Sequence, residues 1–256
     1  MAEPLSQSHS PLSSQQPFYS LVIPVFNEQD SLDILTREII AVTSRLDHPA
    51  EIVFIDDESS DQSRAIMQRL SEEFSGTVRW LAMPGRCGQT AALRQGLKSS
   101  KGQILITLDA DLQNDPQDIP DMLTKLNAGY DVVCGWRKAR HDKPLKAVLS
   151  KMANLVQRRL TGLPVHDISC TLRVYKRTCI RRLELDWEGQ HRFIPLILAF
   201  QGFRLDEVEA HHRSRRFGAS KYTHKRVFKV VRDFLRIYRN RKKYRQVHKS
   251  NAGEMT

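Results

Sequence analysis

The chain has 256 residues, of which 40% are hydrophobic and 27% are charged, and its formal net charge is +11. This length and composition exclude a chain that is disordered throughout and are sufficient for one large folded domain. Residues 221–249 contain twelve Lys or Arg and one acidic residue, Asp233, which leaves 28 basic and 28 acidic residues elsewhere. The positive charge therefore belongs to the C-terminal segment.

The N-terminal 17 residues are rich in Ser, Gln and Pro, and we expect residues 1–17 to form a disordered tail. This tail lacks the basic and apolar regions of a secretory signal. A membrane-spanning helix needs about 20 mostly apolar residues, whereas the best run, 193–203, ends after eleven. We therefore expect no membrane span, and we expect the four cysteines, which form no CxxC pair, to be reduced thiols in a cytosolic protein.

Strand and helix patterns alternate in the first half of the chain. The sequence predicts strands at 20–25, 51–56, 77–82 and 103–109, each followed by a helix, at 31–46, 61–74, 89–99 and 117–127. A further strand is predicted at 131–135. Such alternation is typical of an α/β fold with a mostly parallel sheet flanked by helices, connected by right-handed crossovers.

The second half has a different pattern. The sequence predicts a cationic amphipathic helix at 144–160, a strand at 171–176, a helix at 191–201 and a strand at 203–210, followed by a basic loop. Near the C-terminus, one helical stripe is apolar and basic residues surround it; the stripe contains Val227, Val230, Val231, Phe234, Leu235 and Tyr238. We expect residues 225–249 to contact an anionic membrane surface. The alternatives are packing on the protein's own core and binding to nucleic acid.

Polar clusters follow three of the predicted strands, at 27–28, at 56–58 and at 109–111. Ligands of open parallel sheets sit beyond the carboxyl ends of the strands, so these clusters are expected to line one crevice. Two carboxylates about 4 Å apart repel by about 4 kcal/mol at an effective dielectric constant near 20. The pair Asp109 and Asp111 is thus typical of a Mg²⁺ or Mn²⁺ site, to which Gln113 adds an oxygen. The alternative is a solvated acidic turn in which Asp115-Pro116 caps the next helix.

Two further features of the crevice point to a phosphorylated ligand. The segment GQTAALRQG, residues 88–96, opens a helix whose free N–H groups favour phosphate; the alternative is an ordinary helix that starts at a glycine. Asp57 is placed to accept hydrogen bonds from a nucleobase or ribose. The alternative is a capping role, which Ser59, Ser60 or Asp61 can also fill.

The motifs occur in an order that resembles the family 2 glycosyltransferases with a GT-A fold; they are PVFNE (24–28), DDESSD (56–61), GQTAAL (88–93), LDADLQNDP (108–116), HDISCTLRVYK (166–176), HRFIPLILAFQGFR (191–204) and HHRSRRFGASKY (211–222). Within that family the chain is similar to the polyprenyl-phosphate glycosyltransferases, dolichol-phosphate mannose synthase among them. The resemblance covers about residues 18–235. It implies a GT-A domain at 18–224, followed by a basic amphipathic helix and tail at 225–256.

The resemblance also implies roles for individual residues. Asp57 matches the residue that binds the base, and Asp109, Asp111 and Gln113 match a DxDxQ site for Mg²⁺ or Mn²⁺. Arg137 matches a residue that faces the acceptor phosphate, and Asp167 matches a carboxylate considered catalytic; the alternative for Asp167 is a structural partner of Arg173 or Arg177. The matching motifs also contain the catalytic cation Arg215 and the substrate-binding residues Pro24, Asn27, Glu28, Gly88, Gln89, Ala110, Ser220 and Lys221.

Three residues depart from the family pattern, because Glu58 and Cys170 replace a usual glycine and Arg86 replaces a usual asparagine. The expected reaction is metal-dependent, inverting transfer of a sugar from a UDP- or GDP-linked donor to a polyprenyl phosphate. The expected location is cytoplasmic, peripheral at the inner face of the membrane, with no nucleic-acid partner. The alternatives are an enzyme of the same fold with a soluble or cell-envelope saccharide acceptor, and a non-enzymatic basic adaptor or nucleic-acid binder.

Overall fold

The computed structural model describes residues 16–138, 159, 161–181, 183–214 and 225–250. Within them, seven strands form one sheet: β1 Tyr19–Val25, β2 Ala50–Asp56, β3 Val78–Ala82, β4 Ile104–Thr107, β5 Val132–Trp136, β6 Arg173–Lys176 and β7 Leu205–Glu209. The α-helices are α1 Leu32–Thr43, α2 Ser63–Glu73, α3 Gln89–Ser99, α4 Ile119–Asn127, α5 Arg177–Ile180, α6 Ile194–Phe200, α7 Lys225–Arg239 and α8 Arg241–Ser250. Short 3₁₀ turns at Pro116–Asp118 and Gln190–Phe193 lead into α4 and α6.

The strand order across the sheet is β3-β2-β1-β4-β6-β5-β7. All neighbouring strands are parallel except β6, which runs antiparallel to both β4 and β5. The predicted mostly parallel α/β sheet is therefore confirmed. Because β6 enters between β4 and β5, its first residue, Arg173, pairs with Thr107 at the carboxyl end of β4. The second half of the chain thus reaches the end of the sheet where the polar clusters lie.

Apolar side chains cover both faces of the sheet. One core contains α1, α2 and α4, whose buried residues recur every three or four positions, as in Leu32, Leu35 and Ile39 of α1. The other core contains α3, α6 and part of the C-terminal helices. Together the two layers fix β1, β2 and β4 side by side, so that the loops after these strands face the same end of the molecule.

The C-terminal helix α7 packs on the second core. Ile237 is fully buried, and Val230, Phe234 and Tyr238 pack beside it. Val231 and Leu235, in contrast, are each 50% exposed. The single apolar stripe predicted for this helix is therefore divided into a core-packed face and an exposed face, and Ile237, which the predicted stripe omitted, is its most buried member.

Three further expectations concern membrane-spanning helices, the cysteines and the predicted segments at 144–160 and 1–17. Among the described residues, no helix is both long and apolar enough to cross a membrane. The cysteines are free thiols, with Cys87 exposed and Cys134, Cys170 and Cys179 buried. The predicted helix at 144–160 and most of the predicted tail at 1–17 lie outside the described residues.

Candidate active site

The loops that follow β1 and β2 are hydrogen-bonded to each other. The backbone N–H of Asn27 donates to Ser59 Oγ at 3.1 Å, and Asn27 Oδ1 accepts from the backbone N–H of Ser60 at 2.8 Å. The backbone N–H of Glu28 donates to Ser63 Oγ at 2.8 Å. In this structure Asn27 and Glu28 therefore join two strand ends, and their predicted contact with substrate stays a prediction.

Backbone strain is concentrated at the same end of the sheet. Among the described residues, Asn27, Glu58 and Leu112 are the non-glycine residues with positive φ, at 55°, 65° and 60°. They lie in the loops after β1, β2 and β4, respectively. Each such conformation costs on the order of 1–3 kcal/mol, and residues of this kind cluster at active sites and ligand-binding loops. The strain supports the expectation that these three loops form one functional crevice.

Asp57 organises the loop that leads into α3. The residue is 3% exposed. Its carboxylate accepts the backbone N–H groups of Cys87 at 2.7 Å and of Gly88 at 3.0 Å, and it pairs with the guanidinium of Arg86 at 3.0 Å. The first turn of α2 is instead contacted by Asp61, which accepts the backbone N–H of Ser63 at 2.9 Å. Asp57 thus has a capping role, but towards the loop before α3 rather than towards α2.

The N-terminus of α3 receives a carboxylate that the sequence did not predict. Glu188 Oε2 accepts the backbone N–H of Thr90 at 2.9 Å, and Thr90 Oγ1 lies 2.6 Å from Nδ1 of His191. Gly88 makes room for this contact, because a Cβ there would lie 2.6 Å from Glu188 Oε2. Contacts across about 100 residues leave no local pattern in a sequence, so only the position of His191 in a family motif hinted at this arrangement.

Asp109 and Asp111 lie in the loop immediately after β4. Asp109 Oδ1 accepts from the side-chain amide of Gln89 at 2.8 Å, and Asp111 Oδ1 accepts the backbone N–H of Gln113 at 3.2 Å. Burial, followed by the negative charge of Asp111, raises the pKa of Asp109 to about 6, despite the opposing effects of a hydrogen bond from Thr171 and the charge of Arg137. The repulsion from Asp111 that the sequence anticipated is thus the second cause of the raised pKa of Asp109, after burial.

These oxygens fit a hard divalent cation. Mg²⁺ and Mn²⁺ accept one or two carboxylates and keep the remaining positions for phosphate oxygens and water. Among the described residues, no three His, Cys, Asp or Glu side chains form a complete metal cage. Asp109 and Asp111 are the carboxylates in this loop, whereas the side-chain amide nitrogen of Gln113 lies 3.5 Å from Nε2 of His212, so its predicted contact with a metal stays a prediction. A cation would lower the contribution of Asp111 to the raised pKa of Asp109.

Asp115 is separate from this pair. Its Oδ1 accepts the backbone N–H of Gln117 at 3.0 Å and pairs with Arg213 at 2.7 Å. The capping alternative is therefore confirmed for Asp115. Arg213 also pairs with Glu38 at 2.7 Å and donates its backbone N–H to the carbonyl of Gln113 at 2.9 Å. The segment 211–214 is thereby fixed against the DxDxQ loop, whereas the predicted phosphate-binding residues Arg215, Ser220 and Lys221 lie outside the described residues.

Arg137 and Asp167 form a two-point ion pair beside the carboxylate pair. Arg137 Nε donates to Asp167 Oδ2 at 2.7 Å, and its Nη2 donates to Asp167 Oδ1 at 3.1 Å and to Ser169 Oγ at 3.0 Å. Arg173 instead donates to backbone carbonyls, including that of Ile168 at 2.7 Å. The ion-pair partner of Asp167 is therefore Arg137, rather than Arg173 or Arg177 as the structural alternative supposed.

The remaining predicted residues line or support the same crevice. Pro24 lines a small pocket together with Gln89, Asp109 and His191. The side chain of Ala110 is buried in the core, so only its backbone is left for a contact with substrate. Carboxylates at strand ends, the N-terminus of α3 and the buried Arg137 therefore lie at one end of the sheet.

This fold is the GT-A fold of glycosyltransferases. The chain belongs to glycosyl transferase family 2, whose family model matches residues 20–183. It is 34% identical over 239 residues to a dodecaprenyl-phosphate galacturonate synthase from Rhizobium johnstonii, with 92% of this chain and 70% of the relative covered. It is 38% identical over 216 residues to an undecaprenyl-phosphate 4-deoxy-4-formamido-L-arabinose transferase from Salmonella paratyphi A, with 84% of this chain and 66% of the relative covered.

Solved structures confirm the fold. Glucosyl-3-phosphoglycerate synthase from Mycobacterium tuberculosis, in complex with Mn²⁺, UDP and glucosyl-3-phosphoglycerate, superposes with a TM-score of 0.65 at 17% identity, covering 88% of this chain and 80% of that one. The same enzyme with Mg²⁺ and UDP gives a TM-score of 0.64 at 16% identity, covering 88% and 79%. The predicted GT-A fold and the predicted family are therefore both confirmed.

Proposed function

We propose that this chain transfers a sugar, with inversion, from a UDP- or GDP-linked donor to a polyprenyl phosphate at the inner, cytoplasmic face of a membrane. The observation that carries the proposal is the placement of the Asp109–Asp111 pair beside the Arg137–Asp167 ion pair. The first pair suits the diphosphate of a donor through a cation, and the second presents a guanidinium to another phosphate. The names of the relatives, which act on dodecaprenyl and undecaprenyl phosphates, support this choice of acceptor.

The donor half of the site is assigned to the loop after β4. Asp109, Asp111 and Gln113 would hold Mg²⁺ or Mn²⁺, which would offset the negative charge that grows on the diphosphate as it leaves. A cation would also stabilise the ionised form of Asp109, whose pKa is raised by burial and, after that, by the charge of Asp111. Gln89 positions Asp109 through its amide, and Arg215, Ser220 and Lys221 are proposed to contact the donor phosphates from the loop that follows Arg213.

The acceptor half is assigned to Arg137. Asp167 and Ser169 bind its Nε and Nη2 groups, while Nη1 makes no hydrogen bond or ion pair within the described part of the chain. This group is proposed to bind the acceptor phosphate. A phosphate oxygen then forms the bond to the anomeric carbon as the bond to the diphosphate oxygen breaks. Because a phosphate monoester is already largely ionised near neutral pH, Asp167 is needed to orient Arg137 rather than to remove a proton.

Contact with an anionic membrane is proposed for the exposed face of α7. Val231 and Leu235 are exposed there, and the basic residues Arg232, Arg239 and Lys242 are exposed on the same pair of C-terminal helices. Apolar side chains flanked by basic ones are typical of helices that lie on anionic bilayers. The core-packed face of the same helix favours the second candidate, a soluble saccharide acceptor, because fewer apolar residues remain for lipid.

The test is a transfer assay with purified protein, Mn²⁺, UDP- and GDP-sugars, and a short polyprenyl phosphate in detergent. We expect a glycosyl phospholipid as product, and we expect its formation to be lost in Asp111→Ala while the folded state is retained. Transfer to a soluble sugar acceptor but not to the lipid would select the second candidate. Turnover that persists in Asp111→Ala with unchanged metal dependence would contradict the metal assignment.

A further inference from the structure

We propose that Glu207, on strand β7, is a positioning residue for Arg137, the residue assigned above to the acceptor phosphate. Glu207 acts on Arg137 through the segment 166–169, which carries Asp167. This inference rests on the proposed function in one respect, namely that Arg137 binds the acceptor phosphate. It follows that a substitution of Glu207 should impair the use of the acceptor and leave the use of the donor unchanged.

Two consecutive residues at the end of β5 meet two consecutive residues of this segment. The ring of Trp136, the last residue of β5, stacks on the ring of His166, with the centroids 4.5 Å apart and an angle of 18° between the planes. The guanidinium of Arg137, the next residue, is bound at two points by Asp167. The stack and the ion pair therefore share one register, and a shift of the segment against β5 would break both.

Glu207 fixes the same segment from the neighbouring strand. Strand β7 pairs with β5 in parallel, and Glu207 lies opposite Cys134. Its Oε2 accepts the backbone N–H of His166 at 2.6 Å, and its Oε1 is in hydrogen-bond contact with Nδ1 of the same residue. An ionised carboxylate only accepts hydrogen bonds, so Nδ1 is a ring nitrogen that donates. One carboxylate thus holds both the backbone and the ring of the residue that precedes Asp167.

The burial of Glu207 makes these two hydrogen bonds important. Its side chain is only 9% exposed, whereas that of His166 is 40% exposed. Water reaches such a carboxylate poorly, and a hydrogen bond to a charged group corresponds to about 10- to 100-fold in an equilibrium constant. Loss of both bonds would allow the segment to move, and a misplacement of about 1 Å in a substrate-binding group lowers a rate by about 100-fold.

The same strand offers a matched control. Glu209 lies two positions further along β7, opposite Trp136, and a spacing of two places both carboxylates on the same side of the strand. The partner of Glu209 is Lys138, at 3.3 Å, and the two side chains are 58% and 59% exposed. Glu209→Ala thus removes the same charge from the same strand and leaves both hydrogen bonds of Glu207 in place.

The experiment is steady-state kinetics of the full chain in the transfer assay described above, with the UDP- or GDP-sugar that the wild type turns over. The KM of the polyprenyl phosphate and the KM of the nucleotide sugar are measured separately. In Glu207→Ala, we expect the first to rise by about 10-fold or more and the second to stay within about 2-fold of the wild type. Glu209→Ala should match the wild type in both.

A conservative variant distinguishes placement from charge. Glu207→Gln should recover most of the loss, because the amide oxygen can accept the backbone N–H of His166 and the amide nitrogen can donate to Nδ1 of the other imidazole tautomer. In the Asp167→Asn background, Glu207→Ala should raise the KM of the polyprenyl phosphate by less than about 2-fold further, because both substitutions act on the same guanidinium.

A further variant keeps the test valid if Glu207→Ala does not fold. His166→Ala removes only the ring, at a side chain that is 40% exposed. We expect this variant to remain folded and to raise the KM of the polyprenyl phosphate by about 3- to 10-fold. Thermal unfolding of each variant confirms that the kinetics are those of folded protein.

The opposite outcomes are equally defined. An unchanged KM for the polyprenyl phosphate in Glu207→Ala and His166→Ala overturns the inference, as does an equal rise in both KM values or in Glu209→Ala. Glu207→Gln that is as impaired as Glu207→Ala, or independent effects of Glu207 and Asp167, would show that Glu207 does not act by placing the segment. In all these cases the wild type still forms the glycosyl phospholipid, and the proposed function stands. If the wild type forms none, the proposed function fails together with the inference.

Discussion

Glu188 accepts a hydrogen bond from the backbone N–H of Thr90 at 2.9 Å, although 98 residues separate them in the chain. The Glu188 carboxylate therefore lies at the first turn of α3, where the sequence predicted that phosphate would bind. A carboxylate satisfies an unpaired N–H group and the helix dipole in the way that a phosphate does. In this structure, the contact also requires a glycine at 88, because a Cβ at that position would lie 2.6 Å from Glu188 Oε2.

The first prediction concerns this relationship. Gly88→Ala is expected to destabilise the fold by about 1–3 kcal/mol, because Gly88 has a φ of 89° and because the new methyl group meets Glu188. In the Glu188→Ala background, the steric part of the cost should disappear while the backbone part remains. Urea denaturation of the four proteins of this double-mutant cycle measures the coupling. Purely additive changes in the free energy of unfolding would show that a methyl group at position 88 does not clash with Glu188.

The second prediction concerns the pH dependence that Asp109 imparts. Its pKa in the folded protein is about 6 and its ordinary value is 3.8, so between these pH values the folded state binds more protons than the unfolded state. The free energy of unfolding should therefore fall by about 3 kcal/mol as the pH rises through this window. Above it, the ionisation of Asp109 should cause no further change.

The control for Asp109 is its own neutral analogue. Asp109→Asn should be more stable than the wild type above pH 6 without metal, and the difference should vanish near pH 4. Asp121→Asn, at an exposed position on α4, should show no such gain. Mn²⁺ should raise the melting temperature of the wild type at pH 7 but not that of Asp109→Asn. A wild type that is the more stable of the two at pH 7 without metal would contradict the raised pKa of Asp109.

The third prediction separates two roles for Asp167. Its carboxylate is bound at two points by Arg137, so Asp167→Asn should misorient that guanidinium and lower the transfer rate by about 100-fold, with a raised KM for the lipid phosphate. If Asp167 only positions Arg137, the pH profile of the remaining activity keeps its shape. Loss of the acidic limb of kcat against pH would instead identify Asp167 as a general base.

The same ion pair permits a stability measurement. Asp167 is buried and Arg137 is only 13% exposed, and removing one partner of a buried pair costs about 3–5 kcal/mol. Arg137→Met should therefore destabilise the fold more than Lys138→Met, since Lys138 and its partner Glu209 are both more than half exposed. Equal effects of the two substitutions would indicate that Arg137 is not held as the structure shows.

The sequence predicted the strand ends well because a parallel sheet brings its carboxyl ends to one edge. Asp57, Asp109 and Asp111 therefore reach the crevice regardless of details of packing. The contacts of Glu188 with Thr90 and of Arg213 with Glu38 join residues 98 and 175 positions apart, and no local pattern encodes such pairs. The charge pattern did not identify the ion-pair partner of Asp167, because several arginines follow it in the sequence. In the structure the partner is Arg137. Arg173 lies in β6 and donates to backbone carbonyls instead.

The C-terminal helix shows a second limit of the sequence. Helical periodicity predicts that an apolar stripe exists, but it does not state how much of the stripe is covered by the rest of the protein. Val230 and Phe234 lie on the covered side of α7, and Val231 and Leu235, one position further along, lie on the exposed side. The alternatives of core packing and membrane contact thus concern two faces of the same helix.

The fourth prediction tests these two faces separately. Ile237→Ala should destabilise the protein by about 2–5 kcal/mol, because the side chain is fully buried in the core. Val231→Ser together with Leu235→Ser should leave the free energy of unfolding nearly unchanged, since both positions are 50% exposed, but should weaken sedimentation with vesicles that contain phosphatidylglycerol. Arg239→Glu is expected to weaken it further and neutral vesicles to bind poorly throughout. Equal vesicle binding by the wild type and the double serine variant would remove this face of α7 as the membrane contact and favour a soluble acceptor.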